Sequence, residues 1–333
     1  MHHTVGRAVL VALALVTLMT ANTLSAQDSA RISPPDYPTK PVRMIVPLAP
    51  GGGSDIVGRI VALALTDDWG QPVVVDNRPG AGSTVGTSIA ARAPADGYTL
   101  LVSSSSMAIS PALYKNLNFD IKRDFDEVTL IASQPSILAV HPSVPASSVR
   151  ELITLAKSQP GKLSFASAGP GSATHLGTEL LQHAVGISML HVPYKSAGQA
   201  TSALLSGEVQ VLLTNMASTL PYVKSGKIKA LGVSSLKRSP LAPGLPTIAE
   251  AGIPGFEYVT WYGMLVPEGT PRPVIARIQT DTAKIISNAQ VQERFDKLGL
   301  TAYGTSPADF GIYLNAEIAK WDKLVRMAGV RAE

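Results

Sequence analysis

The sequence predicts an α/β protein of two doubly wound domains, joined by two crossing segments around a cleft that closes by hinge motion. Three observations lead there. Short apolar runs rich in β-branched residues alternate with helix-length segments through both halves of the 333-residue chain, as parallel strands and crossover helices do. One strand after another ends in glycine or small polar residues. Two longer extended runs, residues 128–140, read as two pieces because Pro135 stands in the middle, and 258–266, stand where the chain would pass to a second domain and return.

In the first domain, residues 42–48 form the first strand and 54–65 its helix. Between them lies Ala49-Pro50-Gly51-Gly52-Gly53-Ser54-Asp55. Glycine lets backbone approach a ligand with no Cβ in the way, and Ser54 or Asp55 suits a helix N-cap. The loop is either an anion cradle at the positive end of a helix dipole or a plain strand-to-helix turn. No Lys-Ser/Thr follows the glycines and no GxGxxG is present, so nucleotide and dinucleotide sites are poorly supported. Residues 73–75 are the second strand, leading through Gly80-Ala81-Gly82 into helix 84–92. The third strand, 99–102, ends in Ser103-Ser104-Ser105-Ser106. In a doubly wound sheet these strand ends share one edge, where ligands bind.

The same grammar returns beyond residue 140. Helix 149–157 precedes strand 163–166, which ends in Ser167-Ala168-Gly169-Pro170-Gly171-Ser172, a counterpart of the first glycine loop, before helix 174–184. Strand 189–192 runs into Pro193-Tyr194-Lys195-Ser196, helix 199–206 follows, and strand 209–213 ends in Thr214-Asn215. The stretch 240–254, rich in Pro and Gly, reads as irregular surface. Amphipathic helices at 273–288 and 307–328 close the first domain. The expected division is 37–131 with 260–333 for domain 1 and 132–259 for domain 2.

Composition narrows the function. The chain has no cysteine, which removes disulfides and thiolate metal sites, and a net charge of +4. Its Lys and Arg are scattered and aromatics are few, so nucleic acid is not the expected partner. Arg7 followed by the apolar run 8–19 and small residues to Ala26 reads as a signal peptide, 1–26, cleaved near Ala26 and followed by a solvated leader, 27–36. Removing Arg7 leaves 27 basic against 24 acidic residues, about +3. His141, His183 and His191 show no metal-ligand spacing, so no metal and no cofactor is expected. A serine hydrolase at Ser103–106 is the main rival, but no GxSxG elbow exists and the chain is not expected to be an enzyme.

Several candidates keep two readings. Lys195 is a solvated loop residue or a ligand contact. Asp55 would repel a bound carboxylate, which favours a role as helix cap and tie of the glycine loop. His175 is a ligand donor or a plain helix-start residue. Trp261 and Tyr262 line the cleft or fill the core.

The motifs also carry a resemblance. Pro41-Val42-Arg43-Met44-Ile45-Val46-Pro47 with the glycine loop, Asp76-Asn77-Arg78-Pro79-Gly80-Ala81-Gly82, Ala95-Asp96-Gly97-Tyr98, His191-Val192-Pro193-Tyr194-Lys195, Pro246-Thr247-Ile248 and Trp261-Tyr262-Gly263 run in order along the chain. Together they resemble the Bug family of periplasmic solute-binding proteins, which serve tripartite tricarboxylate transporters. The resemblance implies a periplasmic binding protein-like monomer that closes on a small organic acid, whether a dicarboxylate, an aromatic acid or an amino acid, and hands it to transporter subunits; a sensor receptor is the alternative partner. It implies that the loops 49–55 and 167–174 pinch a carboxylate with backbone N–H groups and ordered water. With the candidates read from the strand ends, the expected ligand contacts are Ala49, Gly51, Gly52, Gly53, Ser54, Asp55, Ser104, Ser105, Ala168, Gly169, Gly171, Ser172, Thr174, His175, Lys195, Thr214 and Asn215. Two positions depart from the family pattern: Leu48 where an aromatic is frequent, and Thr214 where Asp is.

Overall fold

Val42–Val46 (β1) is apolar on both faces and, in the computed structural model, lies at the heart of a mixed sheet. The structure describes residues 37–329, so the expected signal peptide and leader lie outside the described residues. From Pro38 onward the described chain packs as one unit. Among the described residues no helix is long and apolar enough to cross a membrane.

β1 is followed by helix α1 (Gly53–Trp69), β2 (Val73–Asn77), α2 (Thr84–Ala91), β3 (Thr99–Ser104) and α3 (Ser105–Leu113). β1 pairs in parallel with β2 and β3, as a strand–helix–strand grammar requires. Phe125–Val140 (β4) is a single strand of 16 residues, not the two pieces that Pro135 suggested. Pro135 stands where β4 changes partners. Residues up to Pro135 pair with Val259–Pro267 (β9), and from Ser136 onward β4 pairs with β7 (Val211–Asn215). A residue without an N–H is tolerated best at such a handover.

The second half adds α4 (Val149–Ser158), β5 (Ser164–Ser167), α5 (Ala173–Val185), β6 (Leu190–Pro193), α6 (Ala197–Ser206), α7 (Met216–Lys224) and β8 (Lys229–Val233). β5 pairs in parallel with β6 and β7. The chain then returns through β9 to α8 (Arg272–Ile286), α9 (Ala289–Lys297), β10 (Thr301–Ala302) and α10 (Pro307–Ala328). The sheet order is β2-β1-β3-β9-β4-β7-β5-β6, with β8 and β10 on β4. The two lobes thus share one curled sheet, parallel in each lobe's outer strands. The crossing strands β4 and β9 run antiparallel to their neighbours.

α10 closes the first lobe. A Cβ on Gly263 of β9 would stand 2.2 Å from the Phe310 ring, so glycine is what lets this helix seat on the strand. Trp261 is wholly buried beside it, its indole N–H donating to Glu317 at 3.0 Å. The 240–254 stretch is irregular as expected, but it is not all surface: Thr247 and Ile248 are fully buried against the sheet, and Val233 is bridged to Thr247.

Candidate functional site

The first glycine loop is held by its own carboxylate. Helix α1 starts at Gly53 with Gly52 as a cap that has no side chain, so neither Ser54 nor Asp55 is the N-cap. Asp55 instead reaches back: its Oδ2 accepts Gly51 N–H at 2.9 Å. Arg59, one turn along, donates to Oδ2 at 3.0 Å, and Asn77 Nδ2 donates both to Oδ1 and to the Leu48 carbonyl at 3.0 Å. Burial alone would raise this carboxyl. The bonds from Arg59, Gly51 and Asn77 outweigh burial and hold it below the ordinary carboxylate value. Asp55 therefore stays ionised with its lone pairs spent on the loop. The expected tie is present, and Arg59 and Asn77 are functional neighbours that the sequence reading missed. The i, i+4 spacing of Asp55 and Arg59 was the available signal.

Above this loop sits Tyr262. A Cβ on Gly53 would lie 2.0 Å from its hydroxyl, and that hydroxyl donates to Gln134 Oε1 at 3.5 Å. Gln134 lies one residue before the handover at Pro135 and also accepts from Asn215 Nδ2. Its own amide N–H donates to the Leu298 carbonyl. Gly53, the two crossing strands and the end of β7 thus meet at one buried amide. Ser104 stands opposite Tyr262 across the β3–β9 ladder. Ser104 Oγ pairs with Ser106, while Ser105 Oγ accepts the Trp261 N–H, so the serine run is largely occupied in holding β9 and its own turn.

The second loop is bound up in the same way. Ala168 N–H donates to Thr174 Oγ1 at 2.8 Å, Gly169 N–H to Ser167 Oγ at 3.1 Å and Gly171 N–H to His175 Nδ1 at 3.0 Å. Ser172 caps α5 through the His175 N–H. Gly169 and Gly171 have φ of +111° and +72°, a region that disfavours any other residue. Gly171 also meets the first lobe, since a Cβ there would stand 2.5 Å from Leu113 Cδ1 at the end of α3.

Among the described residues, the N–H groups of Gly53, Ser54 and Asp55 at the start of α1, and of Ala173 and Thr174 at the start of α5, have no acceptor. The buried hydroxyls of Ser54, Ser103 and Thr214 likewise have no partner among the described residues. Two helix N-termini with free donors, stiffened by loops whose other donors are used, suit an anionic group. Lys195 is exposed on the loop after β6. Gly52 N–H donates to the Ala49 carbonyl at 3.4 Å, closing the turn before α1. No cluster of three or more His, Asp or Glu able to hold a metal occurs among the described residues.

Residues 57–330 match the family described as the tripartite tricarboxylate transporter family receptor. The chain is 36% identical to the Bordetella pertussis protein BugT over 309 residues, covering 92% of this chain and 95% of that one. It superposes on the R. palustris Rpa4515 structure with adipate at a TM-score of 0.82 and 34% identity, covering 89% and 99% of the two chains. MatC from Rhodopseudomonas palustris with bound malate gives 0.78 at 29% identity, covering 87% and 100%. The chain belongs to the tripartite tricarboxylate transporter receptor family: it is a periplasmic solute-binding protein that captures a small carboxylate for a transporter of that type.

Proposed function

We propose that the solute is a small dicarboxylate or hydroxydicarboxylate, bound without turnover. One carboxylate is received by the free N–H groups at the starts of α1 and α5, and the buried hydroxyls of Ser54, Ser103 and Thr214 read the remaining polar groups. The observation that carries this reading is the set of unpaired donors at two helix starts, beside loops whose other N–H groups are already spent. The solutes named for Rpa4515 and MatC, adipate and malate, support the dicarboxylate class. Each hydrogen bond from a neutral N–H to an ionised oxygen contributes about 1.5–3 kcal/mol, so a few such donors suffice without an Arg clamp.

The lobes that close on it comprise 37–131 with 260–333, and 132–259. The protein acts as a monomer after export and cleavage near Ala26. A thermal-shift series with adipate, malate, succinate, benzoate and alanine tests the ligand class. A rise in Tm with at least one dicarboxylate, recovered chemically unchanged, is expected. Stabilisation by benzoate or alanine alone, or conversion of the acid, refutes the reading.

A further inference from the structure

Two histidines stand behind the second glycine loop. His175 lies in the first turn of α5 and His191 in β6, and their rings stack with centroids 4.0 Å apart and planes 9° apart. Phe165 of β5 lies nearly parallel to both, 4.9 Å from the His191 ring and 6.2 Å from that of His175. The stack exists because β5 and β6 pair in parallel with Phe165 opposite His191.

Each imidazole is tied to the loop. His175 Nδ1 accepts the Gly171 N–H, which places the proton of the neutral ring on Nε2. His191 Nε2 shares a hydrogen bond with Ser167 Oγ at 2.5 Å, and the same oxygen accepts the Gly169 N–H. The two glycines with left-handed backbone are therefore both fixed, directly or through one hydroxyl, by the stacked pair.

We propose that His175 and His191 are positioning residues: as a neutral stacked pair they set the shape of the 168–172 loop, and protonation of His175 releases Gly171 and loosens the start of α5. A protonated Nδ1 is a donor, so the Gly171 N–H would face another N–H. The titratable groups that face His175 are His191 from β6 and Glu179 from α5, whose Oε1 is 3.7 Å from Nε2. β5 presents Phe165 and Ser167, neither charged. Burial and then the neighbouring His191 lower His175 to about 4, and burial lowers His191 as well. Burial raises Glu179, which weakens its pull on a proton at Nε2.

The inference rests on the reading that this loop fronts the ligand, but its test needs no ligand. In the ¹⁵N-labelled protein, the imidazole and Gly171 amide signals are followed from pH 7.5 downwards, and amide exchange is compared in His175→Asn and His175→Phe. His175 is expected to stay neutral at pH 5 with an unprotonated Nδ1. The Gly171 amide should exchange about tenfold faster in His175→Phe, as loss of one intramolecular hydrogen bond requires. His175→Asn, with a carbonyl oxygen available to accept the same N–H, should restore slow exchange, with a protection factor relative to the intrinsic rate that no longer changes with pH. A ring that titrates near its ordinary value, or a Gly171 amide equally protected in all three proteins, overturns the proposal. If His175→Phe does not fold, the wild-type titration and His175→Asn decide it. A chain that binds no acid yet shows these signals would refute the proposed function and leave this inference standing.

Discussion

Replacing Gly53 by alanine isolates the contact that joins the first glycine loop to the hinge strands. The new Cβ would stand 2.0 Å from the Tyr262 hydroxyl oxygen, 2.8 Å from Cζ and 3.1 Å from Cε1. Ordinary contacts need more than 3.4 Å, so the ring or the helix start must move by over an ångström. Tyr262 has little room to yield, being 2% exposed and bonded to Gln134. Overpacking of this kind costs about 1–3 kcal/mol, against roughly 1 kcal/mol gained from alanine's better helix propensity. A net loss of up to about 2 kcal/mol is expected in urea unfolding. Tyr262→Phe removes the nearest atom, so the double variant Gly53→Ala/Tyr262→Phe should recover about 1 kcal/mol of coupling energy. Gly52→Ala is the control: its Cβ meets only Ala49 O at 3.4 Å, its φ is −78°, and stability should change little. Additive effects of Gly53→Ala and Tyr262→Phe, or a more stable Gly53→Ala protein, would refute the reasoning.

Three further outcomes follow from the same geometry. His175 takes up a proton at about 4 when folded and at 6.5 in its ordinary state, so the unfolded chain binds protons first. Its contribution is complete above pH 6.5 and declines as pH falls towards 4, by about 3 kcal/mol in all, and His175→Asn should flatten that part of a Tm-against-pH curve. Asp55→Asn keeps the size but loses the charge that Arg59 and the Gly51 N–H bind; a loss of about 2 kcal/mol in unfolding free energy is expected, with weaker solute binding by calorimetry. Thr214→Val replaces a buried, unpartnered hydroxyl with a methyl. It should raise stability by about 1 kcal/mol while lowering affinity for a hydroxydicarboxylate such as malate, and unchanged malate affinity would remove Thr214 from the site.

Much of this architecture was legible in residue order. Most β-branched runs followed by glycine and then by a helical stretch became a strand, a turn and a helix, because those signals are local; the serine run did not, since β3 extends through Ser104 and α3 starts at Ser105. The order of strands was not legible: β9 enters between β3 and β4 through pairings more than a hundred residues apart. Pro135 looked like a break, yet it marks only a change of partner within one strand. The site was half visible. Asp55 was expected to cap its helix and to tie the loop. The tie is present, but the cap falls to Gly52, since the carboxylate turns back to Gly51 and Arg59. The stacking of His175 on His191 and the seating of Tyr262 over Gly53 had no local signal, because each depends on sheet register that only the folded chain establishes. Which donors of the glycine loops remain free was also beyond reach, since that depends on side chains folding back on their own loop.

The claim that the solute's carboxylate is received by main-chain N–H groups at two helix starts is tested most directly by amide chemical shifts during a titration. With whichever dicarboxylate gives the largest thermal shift, the amides of Gly53, Ser54, Asp55, Ala173 and Thr174 should move downfield together and saturate with one affinity. Those of Gly51, Ala168, Gly169 and Gly171, already bonded within their loops, should move far less. A saturating acid that leaves the five free amides in place would contradict the account.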